Sequence, residues 1–361
     1  MRAAVYHGRG DVRLESVPEP QPGPGDVKLR VLYNGICGSD LHEIYDGPIT
    51  TRTTPHPLTG VQNPVILGHE LSGEVVSCGD GVLDLEVGDL VAVEPLETCG
   101  VCRWCKAGQY NHCPLVAFHG YNRHGGGLAD YTVVRRSMAH RLPRGMSAKQ
   151  GALIEPLAVA WHTANRCRLE AGQWAAIHGA GPIGIGVYFA LKERGVRVMV
   201  IDPSPIRRAV LAQLGADEVL DPRATDPIAA IRDLTQGLGA HASVDAAGTP
   251  ASFNAMLHGT RVDGTAVVVA IHHHPVVIPP FDLLMPEINL TGVAMSVNAF
   301  PRVIDSMARG VYPLEAWVET IPFENLVEQG LERLRRQEGL KILVEMGAAA
   351  AAPLENAHED H

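Results

Sequence analysis

From about residue 150 onward, short apolar runs alternate with helix-patterned ones, and a glycine turn sits at the first strand–helix junction. Trp174–His178 reads as a buried strand. Gly179-Ala-Gly181-Pro-Ile-Gly184 follows it directly and opens a helical stretch over 182–194. VRVMVID, IRRAVLAQLG, EVLD, PIAAIRDLTQG, ASVDAAG, FNAMLHGTR and TAVVVAI then continue the alternation. Strands alternating with helices in this way pack as a parallel, doubly wound sheet, which leaves this half of the chain few other folds.

The glycines of that turn divide the work of holding a dinucleotide. Gly179 permits the tight turn, Gly181 lets backbone approach a pyrophosphate, and Gly184 allows helix and strand to pack closely. The phosphate charge meets the helix N-terminus. Pro182 and Ile183, inside the same turn, are expected to border the cofactor. Asp202 ends the next strand, 18 positions after Gly184. A carboxylate there accepts from both ribose hydroxyls and repels a 2′-phosphate, which favours NAD over NADP. Its plainer reading is a helix cap, since DPSP is also helix-start chemistry. Arg207 and Arg208 lie just beyond, either stacked on adenine or in solvent, and they leave NADP open.

The first half has a different pattern. Val27, Leu29, Val31 and Tyr33 alternate in one strand, PEPQPGPGD (18–26) is a turn, and PVIL, GEVV and DLVAVEP follow with glycine-rich breaks. Short strands at this spacing suggest a small β-barrel or folded sheet. Cys99-Gly-Val-Cys102-Arg-Trp-Cys105 interrupts it, closed by Cys113. Four thiolates so close can enclose one zinc ion and leave no open coordination position, which makes a structural site. Disulfides are the alternative, but nothing marks the chain as secreted.

Composition narrows the function classes. Hydrophobic residues make up 46% of the 361 positions and charged ones 19%, enough for full cores. The net charge of −10 argues against nucleic-acid or anionic-membrane partners. MRAAVYHGRGDVRLE has no apolar signal core, and no run approaches a membrane span. Seven cysteines with a thiolate cluster fit a reducing interior, so the cytoplasm is expected.

A second set of metal-ligating residue types is spread through the first half. Cys37 lies in NGICGSDLH, His69 and Glu70 in LGHELSGEVV, and Glu155 in LIEPLAVAWH. Cysteine, histidine and carboxylate are zinc ligands, and three of them plus water make a catalytic site. Taken singly, each has a plainer reading: a buried thiol, a hydrogen-bonded imidazole. Spacing alone does not assemble them.

Their order does. NGICGSDLH, LGHELSGEVV, the four-cysteine lobe, LIEPLAVAWH and GAGPIG…VID occur in the order found in zinc-containing medium-chain dehydrogenases, and the resemblance covers roughly residues 1–347. It implies a GroES-like β-barrel catalytic domain interrupted by a Rossmann domain, with the active site in the cleft. The expected boundaries are 1–155 (zinc lobe 95–115), 156–294 for the NAD-binding domain, 295–347 for the return, and a low-complexity tail over 348–361. The resemblance makes Cys37, His69 and Glu70 ligands of a catalytic zinc. Glu155 is either a fourth ligand or the holder of the metal's water.

By the same carry-over, Ser39 takes the substrate proton and His42 passes it to solvent, against plain readings as a turn hydroxyl and a surface imidazole. Asp40 is expected to cap a helix or orient a neighbour. Glu at 155 resembles the polyol and diol branch. Residues 46–73 look most like the (R,R)-2,3-butanediol dehydrogenases, which points to a diol or hydroxyketone substrate. Sorbitol, xylitol and threonine dehydrogenases share the ligand set and stand as alternatives. VAIHHHP (269–275) departs from the family's mixed aromatic and charged stretch near the nicotinamide, unless His272–His274 are a surface run. A homodimer or homotetramer is implied, with 288–293 as a strand across the interface. A non-enzymatic zinc module is the remote alternative, and Arg103 and Lys106 are too few basic residues to favour it.

Overall fold

The computed structural model describes residues 1–216 and 218–347; the expected tail, 348–361, lies outside the described residues. The chain divides into two compact units, one formed by Met1–Glu155 with the chain from Glu319 onward, the other by Pro156–Val318. The return expected at residue 295 is therefore corrected to Glu319. The reason is the helix Phe300–Ala308. It buries Phe300, Val303 and Met307. Ser306 Oγ lies 3.0 Å from each oxygen of Glu193 and shares its one proton with that carboxylate, and Arg309 pairs with it too, which holds this segment to the second unit.

The second unit is a six-stranded parallel sheet. Its order is Glu218–Leu220, Arg197–Ile201, Trp174–His178, Ala240–Asp245, Thr260–Val268, Asn289–Gly292. Numbered along the chain this is 3-2-1-4-5-6, the doubly wound dinucleotide-binding order. The direction of travel reverses between Trp174–His178 and Ala240–Asp245. Such a switch point opens a crevice at the carboxyl ends of the strands, and Gly179 stands at its mouth.

The first unit is antiparallel. Asp26–Gly35 is its central strand, with Val27, Leu29 and Val31 fully buried as the alternation predicts. Each such side chain contributes about 1.5–3 kcal/mol by leaving water. Tyr33 breaks the expected alternation. A register shift between Val31 and Tyr33 turns it outward, where its hydroxyl donates to Glu345 at 3.0 Å. On one side of this strand Gly35 pairs with Glu70 at the start of Glu70–Cys78. On the other, Leu343 of Lys341–Glu345 pairs with Gly35. Three distant parts of the sequence thus converge at one strand end. Among the described residues, no helix is long and apolar enough to cross a membrane.

Candidate active site

That convergence builds the first site. Cys37 leaves the central strand and caps the helix Gly38–Asp46, its backbone N–H donating to Asp40 Oδ2 at 3.0 Å. His69 enters the paired strand. The ligand atoms of Cys37, His69 and Glu70 lie within 4.8 Å of one another. Their partners are protein groups. His69 Nδ1 lies 3.4 Å from Asp40 Oδ1, and Nε2 lies 3.4 Å from the Ser39 hydroxyl. Glu70 Oε2 is paired with the Lys341 ammonium, which also donates to the Ile36 carbonyl at 3.0 Å.

Charge balance follows from burial. Burial alone would raise Asp40, but His69, the Cys37 N–H and Tyr121 outweigh it and hold the carboxyl below its usual range. Burial would also strip His69 of its proton; Asp40 and Cys37 raise its pKa well above the ordinary value. Glu155 is buried at the end of the same unit. Burial pushes it up to about 7, with His69 opposing and Glu70 adding to the rise. It stands outside the trio whose ligand atoms meet. His42 lies one turn beyond Ser39 on the same helix, a quarter exposed, with Nδ1 3.7 Å from Asp46.

The four-cysteine lobe closes on itself. Cys99, Cys102, Cys105 and Cys113 bring their sulfurs within 4.8 Å of one another, with separations of 3.5 Å for Cys102–Cys105, 3.6 Å for Cys113–Cys99 and 4.0 Å for Cys99–Cys105. All four are free thiols. A tetrahedron with metal–sulfur bonds of about 2.3 Å has edges of about 3.8 Å, so the spacing suits zinc. Backbone N–H groups at Val101 and Cys102 lower Cys99 to about 6, which favours the thiolate, whereas burial pushes Cys113 up to about 11.

The glycine turn builds the third site, within the second unit. Gly179 has φ +107°, and a Cβ there would lie 2.9 Å from the Ala246 carbonyl. At Gly184 a Cβ would run into the Gly179 carbonyl. Gly181 differs: a Cβ would meet nothing within 4 Å, so the space over it is open for a ligand. Pro182 and Ile183 begin the helix Pro182–Lys192. Asp202 accepts from Ala180 N and Ser204 N, each at 2.7 Å, and so ties the turn to the next strand. The cap of the following helix is Ser204, not Asp202. Arg207 Nη1 lies 3.7 Å from Asp202 Oδ2. A cavity of about 490 Å³ is bordered by Gly179, Pro203, Arg223 and Ser252. His178 also lines it; burial pushes this imidazole down to about 4.

Comparison with known proteins decides the family. Residues 23–144 match the alcohol dehydrogenase GroES-like domain, and residues 182–309 match the zinc-binding dehydrogenase domain. The chain is 37% identical over 349 residues to (R,R)-butanediol dehydrogenase of Bacillus subtilis (strain 168), covering 95% of this chain and 99% of that one. It is 34% identical over 346 residues to sorbitol dehydrogenase of Gallus gallus, covering 95% of each. An X-ray structure of 2R,3R-butanediol dehydrogenase from Bacillus subtilis matches with a TM-score of 0.90 at 37% identity, covering 96% of this chain and 99% of that one.

The chain is a zinc-containing medium-chain dehydrogenase.

As such it is an alcohol dehydrogenase with zinc and NAD as cofactors, and the remote non-enzymatic reading falls. The residues fit both groups. Asp40 faces His69 Nδ1, the arrangement by which a carboxylate orients a metal-binding imidazole and leaves Nε2 for the metal. The open space over Gly181 suits a phosphate.

Some of the dehydrogenase's site escaped the sequence. Lys341 is one such residue; a lysine inside the apolar run LKILVEM is a buried charge in search of a partner, and that signal was there to read. Tyr121, buried in the turn after Ala117–Phe118, carried no signal. VAIHHHP resolves into two behaviours. His272 Nε2 is 2.7 Å from Asp245 Oδ2 at a strand end, while His273 and His274 are exposed.

Proposed function

We propose that the protein oxidises one secondary alcohol of a vicinal diol, most simply (R,R)-2,3-butanediol to acetoin, and reverses that reaction. The carrying observation is the trio Cys37, His69 and Glu70 beside a hydroxyl, Ser39, in a chain similar to butanediol dehydrogenases. Bound zinc would supply Lewis acidity at the substrate oxygen, and bound NAD would supply the hydride acceptor.

The protein's own groups do the rest. Cys37, His69 and Glu70 would hold the metal, and Glu155 lines the same buried region as a reserve carboxylate. Hydride leaving a neutral alcohol would produce a protonated carbonyl, so the hydroxyl proton has to go first. Ser39 Oγ receives it, and His42, partly exposed on the same helix, hands it toward solvent. Gly179, Gly181, Pro182, Ile183 and Gly184 present the helix N-terminus to the pyrophosphate, and Asp202 with Arg207 beside it serves the ribose.

The similarity to sorbitol dehydrogenase supports a second reading, oxidation of a longer polyol. NAD reduction should be followed with separate (R,R)-, (S,S)- and meso-2,3-butanediol, with sorbitol, xylitol and threonine alongside. Turnover of the (R,R) or meso diol above the others is expected. Turnover of sorbitol alone transfers the assignment to the polyol reading, and no turnover of any vicinal diol removes the first.

Asn289–Gly292 is the terminal strand of the sheet, with no strand paired to its outer side among the described residues, and this supports a homodimer or homotetramer. Light scattering showing only monomer would refute it. The seven free thiols support the cytoplasm as its location.

A further inference from the structure

Tyr121 is buried beside the metal-ligating trio, its ring centroid 5.0 Å from that of His69 and 5.6 Å from that of Phe118. Its hydroxyl lies between two groups of the helix Gly38–Asp46. Oη is 2.9 Å from Ser39 Oγ and 3.1 Å from Asp40 Oδ1. We propose that Tyr121 is a positioning residue that sets the direction of the Ser39 hydroxyl, so that Ser39 offers its lone pairs, rather than its proton, to the substrate alcohol. The proposal rests on the reading of Ser39 as the group that receives the substrate proton.

A tyrosine hydroxyl has one proton and Asp40 is fully buried, so each Asp40 oxygen needs a donor. The Cys37 N–H serves Oδ2 at 3.0 Å. His69 Nδ1, 3.4 Å from Oδ1, faces the same oxygen, and a carboxylate oxygen has lone pairs for both it and Tyr121. Tyr121 commits its one proton to Oδ1 rather than to Ser39, because a charged acceptor makes the stronger hydrogen bond.

The 2.9 Å contact with Ser39 must therefore use the serine proton, with Tyr121 Oη accepting. The other acceptor near Ser39 is His69 Nε2 at 3.4 Å, longer and on the nitrogen the metal would take. With its proton held toward Tyr121 before the substrate arrives, Ser39 has lone pairs left for an incoming hydroxyl; as it accepts the substrate proton it gives up its own, which turns from Tyr121 toward His42 and leaves for solvent. Without Tyr121 the serine rotor is free to point its proton at the substrate oxygen, a geometry that cannot accept.

The test uses the zinc-loaded, full-length enzyme with whichever alcohol it turns over. Y121F keeps the ring and deletes the hydroxyl. General acid–base groups are worth about 10²–10⁴-fold; S39A is expected to lose about 100-fold in kcat, and Y121F about 10-fold with KM within about 2-fold. Because Tyr121 acts through Ser39, the double variant S39A/Y121F should equal S39A, whereas independent roles would multiply.

Y121F with wild-type kcat beside an impaired S39A overturns the proposal and leaves the Ser39 reading intact. Multiplying effects overturn it too, as does loss of zinc from Y121F, which would place Tyr121 in support of the metal ligands instead. An S39A variant as active as wild type removes the Ser39 reading and this proposal with it. Tyr121→Leu, measured in the same way, serves if Y121F does not accumulate folded.

Discussion

The two thiol-containing sites of the first unit are built on opposite plans. In the four-cysteine lobe the ligands are mostly one another's neighbours: sulfurs 3.5–4.0 Å apart, with local backbone N–H groups pointing at them. A short helix, Arg103–Lys106, with no buried residue, and a single 3-10 turn, Tyr110–His112, are the secondary structure between Cys99 and Cys113. Around Cys37, His69 and Glu70 every ligand has a protein partner of its own. Asp40 faces His69, Lys341 pairs with Glu70, and the helix start fixes Cys37. We expect the lobe to depend on its ion for shape, and the trio, held by the fold, to gain chemistry from its own.

That contrast can be broken by moving the same kind of substitution between sites. Structural zinc contributes about 10–16 kcal/mol to folding in isolated zinc modules. Cys102→Ala should therefore lower metal content by one ion per chain and cut the apparent melting temperature sharply, with normal kcat in whatever remains folded. Cys37→Ala should also lose one ion and keep its melting temperature within a few degrees. Its kcat should fall at least about 100-fold, since Lewis-acid stabilisation is worth several kcal/mol. Elemental analysis with calorimetry and steady-state rates reads all of these. Equal thermal losses in the two variants would show that the trio, too, depends on its metal for shape.

A sharper version asks whether protein partners hold the trio. Lys341 and Glu70 are both almost fully buried. Removing one member of a buried pair strands the other and costs about 3–5 kcal/mol. Lys341→Met should lower the urea-unfolding free energy by that amount, and Lys341→Met with Glu70→Gln should recover most of it. A loss below about 1 kcal/mol would mean that the ammonium is not what holds Glu70 in place.

The same contrast explains what the sequence disclosed. The lobe is legible because its ligands fall within fifteen residues, Cys99 to Cys113. The trio became legible only through the order of motifs in a family. The physical link is the register of three strands: Gly35 opposite Glu70 and opposite Leu343 brings residues 37, 69, 70 and 341 together. No spacing rule encodes that pairing. Tyr121 was harder still, since it reaches the site from an irregular turn. The boundary at 295 failed for a related reason: the hold of Glu193 on Ser306 and Arg309 spans more than a hundred residues. Most of the alternating βα half was readable because strand, turn and helix follow one another directly.

The glycine turn belongs with the lobe on the legible side, and it permits the finest comparison. Its first and last glycines are constrained by protein atoms, its middle one by none. Gly184→Ala would press a methyl group into the Gly179 carbonyl and should destabilise the fold by about 1–3 kcal/mol, as overpacking does. Gly181→Ala meets no protein neighbour, and at a helix cap it should cost stability about 1 kcal/mol or less. Its effect should appear on NAD instead: a methyl group where backbone approaches pyrophosphate should weaken binding about 10-fold, or 1.4 kcal/mol. Fluorescence titration with NADH, beside urea unfolding of both variants, separates the two effects. If Gly181→Ala binds NADH as wild type does, the space over the turn is not where the phosphates lie, and the likeness between lobe and turn as self-contained sites ends there.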